Sequence, residues 1–441
     1  MKQQKNDFSR RNFLGTVAAA GAVMVACNGN KINTSNMPTF LDQAPDGKEL
    51  KAGLIGCGGR GTGAALNFLA AGPNLKVVAL ADVFKDRLQS CKEKLVKQAN
   101  NEVPEENCFI GFDAYEKLVA LNELDVVLIA TPPHFRPAQF EAAINAKKHV
   151  FMEKPVAVDP PGARSIMANA KKAEQLGLCV VTGTQRHHQR DYVSTLKLLK
   201  DGAIGDIVSA NCYWNGGQLW YRTRQRGWTE MEWMIRDWVN WTWLSGDHIV
   251  EQHVHNIDVI NWFSGEKPVK ALGFGARQRR VTGDQYDMFS IDFTYESGMH
   301  VHSMCRQING CARNISEFVQ GTKGSSNCKN TIWKPDGTQA WNYEYPKDES
   351  GESTGNVKVS PYVQEHIELV TSIRNNTPIN EAEATATSTM CAIMGRMSAY
   401  TGKEVTWEEV MNSQLKLGPK EYKLGRIGMK AVVPVPGTEK K

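Results

Sequence analysis

The sequence predicts a two-domain α/β protein, a doubly wound parallel sheet followed by an α+β domain with an open, largely antiparallel sheet. Three observations predict it. Short apolar runs alternate with helix-period segments from residue 50 to 183, the pattern of strand–helix units that feed a parallel sheet. A glycine cluster, Gly56-Cys57-Gly58-Gly59-Arg60-Gly61, separates the first such run from the first such helix. After Gly183 the alternation stops. From 269 onward strand-like runs recur (VKALGFGAR, MFSIDFTYE, GMHVHSM, ISEFVQG), followed by helical stretches at 362–375 and 381–402. The expected boundaries are 1–47 for a leader and linker, 48–184 for the first domain and 185–441 for the second. The helices between 362 and 402 are expected to pack back on the first domain.

The elements follow in order. Lys51–Gly56 is a strand, and TGAALNFLAAG (62–72) a helix. KVVALAD is a second strand ending at Asp82. Glu116 to Leu124 is helical, DVVLIA (125–130) a fully apolar strand, and 135–146 a helix. HVFME (149–153), a helix over 160–176 and LCVVTG (178–183) complete the alternation. In such sheets ligands sit at the carboxyl ends of the strands. Those ends carry Gly56 to Gly61, Asp82, Thr131-Pro132-Pro133-His134 and Glu153-Lys154.

Composition bounds the function. At 441 residues, 41% hydrophobic and 22% charged, the chain has the balance of an ordinary globular protein. A net charge of +5 without a Lys/Arg block argues against a nucleic-acid binder. The ten cysteines include no C-x-x-C pair. They read as small core residues, and no metal site is expected.

The first thirty residues read as an address. Ser9-Arg10-Arg11-Asn12-Phe13-Leu14 and the apolar run after it match a twin-arginine export signal, which places the protein in the periplasm. Cys27, behind Met24-Val25-Ala26, resembles a lipoprotein box and would allow lipid anchoring. Residues 28–47 are polar and rich in Asn, Gly and Pro, a flexible linker.

Gly-x-Gly-x-x-Gly between a strand and a helix is the context of a dinucleotide site. Gly56 allows the tight turn, Gly58 the approach of a pyrophosphate, and Gly61 the helix–strand contact. Gly59 and Arg60 complete the loop. Asp82 lies 21 residues beyond Gly61, placed for ribose hydroxyls, and it would repel a 2′-phosphate. NAD is therefore expected over NADP, although Lys85 and Arg87 lie close by.

These glycines, the Ala130-Thr131-Pro132-Pro133-His134 loop and Glu153-Lys154-Pro155 together resemble the Gfo/Idh/MocA oxidoreductase family, over roughly residues 50 to 400. The resemblance implies that Lys154 contacts the reacting hydroxyl and the nicotinamide. It implies a second signature, Asp-x-Gly-x-His-x-x-Asp, here Glu251-Gln-His253-Val-His255-Asn-Ile-Asp258. His255 takes the catalytic position. Glu replaces Asp at 251, and His253 replaces the glycine. The resemblance also brings Gln185, Arg186, His187 and Tyr192 to the substrate pocket, with Arg186 at the family's usual arginine, and implies a homo-oligomer, dimer or tetramer.

Read from its residues, 247–263 has helical spacing of apolar side chains, which puts Glu251 and His255 on one face. A carboxylate there would orient the imidazole. Residues 206–243 hold seven of the eleven tryptophans with arginines interleaved. Trp214, Trp220, Arg222, Arg236 and Trp238 are expected to form a sugar platform.

The expected function is an NAD-dependent oxidoreductase acting on a sugar or glycoside hydroxyl, ring carbon 3 included, with tightly held cofactor. Catalysis falls to Lys154, His255 and Glu251. The alternatives are an NAD-dependent glycosidase working by transient oxidation and elimination, and a sugar-binding protein without catalysis.

Overall fold

The computed structural model describes residue 32 and residues 34–438. The twin-arginine pair and Cys27 lie outside the described residues.

Six strands build the first sheet: β1 (Leu50–Ile55), β2 (Leu75–Asp82), β3 (Cys108–Ile110), β4 (Val126–Ile129), β5 (His149–Met152) and β6 (Val180–Thr182). All pair in parallel, in the order β3-β2-β1-β4-β5-β6. The helices between them are α1 (Gly59–Ala70), α2 (Lys85–Ala99), α3 (Ala114–Val119), α4 (Arg136–Asn145) and α5 (Pro160–Gln175). The helix expected over 116–124 is thus shorter and starts earlier. The fifth is set by its sequence, with Pro160 in the first turn and Asp159 accepting the Gly162 amide at 2.9 Å.

The period-2 alternation of strand side chains sorts the core into two faces. Ala52, Leu54, Val126, Leu128 and Phe151 pack with Ala64 and Phe68 of α1. Ile55, Val127, Ile129, Val150 and Met152 pack with Phe140 of α4 and Ile166 of α5. A parallel sheet must be covered on both faces, and here the cover comes partly from far along the chain. Helix α11 (Pro361–Arg374) puts Ile367, Leu369 and Val370 on the first face. Helix α12 (Ala382–Thr401) puts Ala382 and Ala386 on the second.

Between them runs α6 (Arg190–Lys200), then β7 (Ile207–Gly216), and short helices α7 (Glu230–Arg236), α8 (Thr242–Ser245), α9 (His248–Glu251) and α10 (Val254–Ser264). The remaining strands are β8 (Pro268–Ala276), β9 (Met288–Tyr295), β10 (His300–Gln307), β11 (Asn314–Gly321), β12 (Gly324–Ser326), β13 (Thr331–Trp333), β14 (Gln339–Asn342) and β15 (Val405–Thr406), the last leading into α13 (Trp407–Asn412). Nine of the strands form a second sheet, order β14-β13-β12-β11-β7-β10-β9-β8-β15. It is antiparallel except where β7 runs parallel to β10.

Two expectations are corrected. The linker is not loose throughout: Ala44 is buried, its amide bonds to Ala71 O at 2.8 Å, and Asp42 pairs with Arg190 at 2.8 Å. The single helix over 247–263 is broken between Glu251 and Val254. There the His253 amide reaches back to His248 O at 3.1 Å and the Asn256 amide to His253 O at 3.0 Å, an i−5 bond followed by an i−3 bond in place of the α-helical ladder.

Candidate active site

The glycine loop does what its spacing requires. Gly56 has φ +97°, and a Cβ on it would lie 2.7 Å from the Thr131 amide. A Cβ on Gly61 would sit 1.8 Å from Gly56 O, so α1 and β1 touch backbone to backbone there. Gly58 and Gly59 face open space, with no atom within 4 Å of where a Cβ would stand. That opening, at the N-terminus of a twelve-residue helix, is a seat for a pyrophosphate. Asp82 accepts the amides of Cys57 at 2.7 Å and Phe84 at 2.8 Å. It ties the loop to the second strand, and burial pushes its carboxyl up.

A cleft of about 460 Å³ runs from Gly58 past Asp82, lined also by Thr131, Pro132, Arg87 and Phe112. Two expected members of this site have partners inside the protein. Arg60 lies on the cleft's rim, but its charge is taken by Glu153 and by Glu365 at 2.9 Å, with the guanidinium over the Tyr362 ring. His134 points into an aromatic cluster, 5.0 Å from the Trp243 ring, and shares a 2.7 Å hydrogen bond with Tyr422. Burial lowers it to about 4. Arg136, missed from sequence, braces the site: it donates to Thr131 O at 2.9 and 2.6 Å and to Glu153 O at 3.0 Å. Its signal was an arginine just past the Thr131 loop, opening a helix whose next turns are buried.

Lys154 leaves the end of β5 and donates to Glu251 O at 2.7 Å, with the Glu251 carboxylate 3.6 Å away. Glu251 is buried, which raises its carboxyl against the pull of Lys154 and Arg136. It makes no hydrogen bond to His255. The role expected for it, orienting the imidazole, is therefore corrected, because the break in the helix removes the one-turn geometry and turns Glu251 to Lys154.

His255 lies stacked beside Trp214, centroids 5.8 Å apart and planes 18° apart. Burial holds its pKa well below the usual histidine range, and Lys154, Arg186 and His187 push the same way. It stands as a neutral imidazole whose buried Nδ1 has no partner. His187 pairs with Asp258 at 2.6 Å and stacks on Trp262 at 4.0 Å. Arg186 is held by Glu317, which also accepts from Tyr192 at 2.9 Å and from Asn256. Gln185 is half-buried, its Oε1 without a partner. Glu317 too was missed. Its signal was an acid on the inward phase of β11, in register with buried Val319. His253, without a counterpart in the family signature, is core: it bonds Ser303 Oγ at 2.6 Å, and burial lowers it to about 3.

Lys154, Glu251, His255, Trp214, Arg186, His187 and Asp258 thus gather at one place. Trp220, Arg222, Arg236 and Trp238 do not join them. They line the cleft by Asp82 and Phe84, and the sugar platform expected of them is corrected to a wall of the dinucleotide cleft.

Residues 50–183 match the oxidoreductase family with an NAD-binding Rossmann fold, and residues 192–327 match the GFO/IDH/MocA C-terminal domain. The chain belongs to the Gfo/Idh/MocA oxidoreductase family. Among curated relatives, 2,7-anhydro-N-acetylneuraminate hydratase of Escherichia coli is 27% identical over 49% of this chain and 54% of its own length. Inositol 2-dehydrogenase of Salmonella paratyphi B is 26% identical over 57% and 66%. The chain thus spans about half to two thirds of the length of these relatives. The structure of scyllo-inositol dehydrogenase from Lactobacillus casei with NAD(H) and scyllo-inositol superposes with a TM-score of 0.59 at 21% identity, covering 81% of this chain and 99% of that one. It shares the family fold: an NAD-binding parallel sheet and a mostly antiparallel second sheet.

Proposed function

We propose that this protein is an NAD-dependent oxidoreductase acting on a hydroxyl of a sugar or glycoside, ring carbon 3 included, with a tightly held cofactor. The observation that carries the reading is the meeting of Lys154 and a neutral, unpaired His255 at one place, beside the ring face of Trp214. The residues present fit NAD: open space over Gly58 and Gly59, and a fastened Asp82 for the ribose. Kinship with inositol 2-dehydrogenase supports the polyol class of substrate.

When bound, NAD supplies the hydride acceptor. His255 takes the hydroxyl proton as the carbon–hydrogen bond gives up its electron pair, so the carbinol becomes a carbonyl. Lys154 donates a hydrogen bond to the same oxygen. Glu251 holds the ammonium in place. Trp214 offers a flat apolar face to the sugar ring.

A second reading is favoured by kinship with a protein named a hydratase. In it, oxidation is transient, the neighbouring C–H is acidified, the aglycone leaves by elimination, water adds, and the carbonyl is reduced again. Purified protein mixed with glycosides separates the two. A lasting rise in reduced-nicotinamide absorbance, matched to bound NAD, supports net oxidation. Aglycone release without a lasting rise supports the redox-neutral route. Sugar binding with neither leaves a non-catalytic protein, and absence of bound NAD sinks both redox schemes.

We further propose that residues 9–14 direct export by the twin-arginine route, with Cys27 lipidated and the mature chain a homo-oligomer. Arg10→Lys with Arg11→Lys should leave folded, NAD-loaded protein in the cytoplasm. Export undiminished in cell fractionation would overturn the leader.

A further inference from the structure

The reaction proposed beside Lys154 makes no use of one wall of the Asp82 cleft. That wall is the segment 217–241, which leaves the second domain after β7 and crosses to the first. Trp220, Arg222, Arg236 and Trp238 face Asp82, Phe84, Arg87 and Phe112 across the cleft. Trp220 and Trp238 meet edge to face at 6.3 Å. Arg236 clasps Asp86 of α2 through two bonds of 2.8 and 3.0 Å and lies 3.9 Å over the Phe84 ring. The fully buried Asp237 accepts the Arg222 amide at 2.7 Å and so fixes where that side chain starts.

The segment is also pinned from outside. The amides of Ile427 and Gly428 bond Glu230 Oε2 at 2.7 and 3.0 Å, and the Met231 amide bonds Gly425 O at 3.0 Å. Leu417, Ile427 and Met429 pack on Met231, Met234 and Ile235. The charges of this wall are unlike those around Lys154. Arg236 has Asp86 and Glu232, whereas Arg222 and Arg87, both on the cleft, have no acid within ion-pairing distance among the described residues. Two guanidiniums without an acid partner, that of Arg222 lying 5.5 Å over the Trp220 ring, and two indoles around a fastened Asp82 form a chemistry suited to an adenine ring and phosphate oxygens.

We propose that residues 217–241 are a resident cover over the adenosine half of the dinucleotide, with Trp220 and Trp238 against the adenine and Arg222 on the phosphates, so that the cofactor stays captive from one turnover to the next. This rests on the NAD reading of the cleft and is independent of the sugar chemistry. Leaving the site requires the Arg236–Asp86 clasp to open.

The test uses the full-length protein loaded with NAD and follows exchange of bound NAD against isotope-labelled NAD, without any sugar. Arg222→Ala, at an exposed position, should speed exchange about tenfold, about 1.4 kcal/mol. Trp220→Ala with Trp238→Ala should exceed that, and Asp86→Ala should speed exchange by freeing the clasp. Arg224→Ala is the control, because that guanidinium folds onto Trp228 O at 3.0 and 2.9 Å. Melting of the NAD-free variants checks their folding. Wild-type exchange complete within mixing, variants within twofold of wild type, or an equal effect of Arg224→Ala would each overturn the cover. A captive NAD in a protein inert toward every glycoside would leave the cover standing and sink the proposed reaction. Rapid exchange in an active enzyme would do the reverse.

Discussion

The Lys154 cluster and the Asp82 cleft are built on opposite terms. Around Lys154 nearly every charge has its opposite inside the protein: Arg60 with Glu153 and Glu365, Arg186 with Glu317, His187 with Asp258, Lys154 with Glu251. Around Asp82 the guanidiniums of Arg87 and Arg222 have no acid within ion-pairing distance among the described residues, and the indoles of Trp220 and Trp238 line the same cleft. Breaking a buried pair strands a charge and costs several kcal/mol, so paired groups hold geometry. Open groups in a cleft are free to meet a ligand. By this comparison the Lys154 cluster fixes positions for one unpaired actor, His255, and the Asp82 cleft binds.

The largest effect is expected at Lys154. Lys154→Ala should cut turnover about a thousandfold, about 4 kcal/mol, with NAD content per chain unchanged. Retention of more than about a tenth of the activity would remove Lys154 from the chemistry. His255→Gln should cost about a hundredfold. Because burial keeps His255 neutral, wild-type kcat/KM should show no acid limb at the ordinary histidine value. A limb at about 6.5 that vanishes in the variant means a solvated imidazole.

The glycine loop sharpens the contrast on a smaller scale. Gly61→Ala drives a methyl into Gly56 O and should lower the stability of the NAD-free protein by about 1–3 kcal/mol. Gly58→Val meets open space, so NAD-free melting should stay as in wild type while bound NAD is lost. Equal melting losses in both would erase the distinction between a packing glycine and a ligand glycine.

The smallest effect, taken per pH unit, concerns His253. Its folded pKa is lowered to about 3 by burial, against about 6.5 unfolded. Below about 6.5 the unfolded chain therefore binds a proton that the native protein does not. The stability is present above that pH and is lost as pH falls toward 3, by about 1.4 kcal/mol per unit. His253→Gln should flatten the slope of unfolding free energy between pH 6 and 4 by about that amount. An unchanged slope means that His253 is not the titrating group.

Much of the first domain was legible because its signals are local. Apolar runs bounded by glycines and acids located all the parallel strands except the three-residue β3, and chain order located the strand ends that carry Gly58, Asp82, Thr131 and Lys154. The rest depends on contacts distant in sequence. The break after Glu251 comes where His253 bonds Ser303, fifty residues away, and no periodicity within 247–263 announces it. Arg136 and Glu317 matter through carbonyls and side chains on other elements. The tryptophans of 206–243 were visible as a cluster, yet which cavity they line is decided by Arg236 meeting Asp86 and by the tail.

That tail has a consequence for time. Residues 417–429 hold α7 by three amide bonds and a few apolar side chains, so the proposed cover would have to break these few contacts to open. Such an opening has its own free energy, smaller than that of the whole domain. Its rate climbs with heat as unfolding rates do, about 3–6-fold per 10 °C. The loaded protein would then keep its nucleotide through long dilution in the cold and shed it within a modest warming, far below the melting of the sheets.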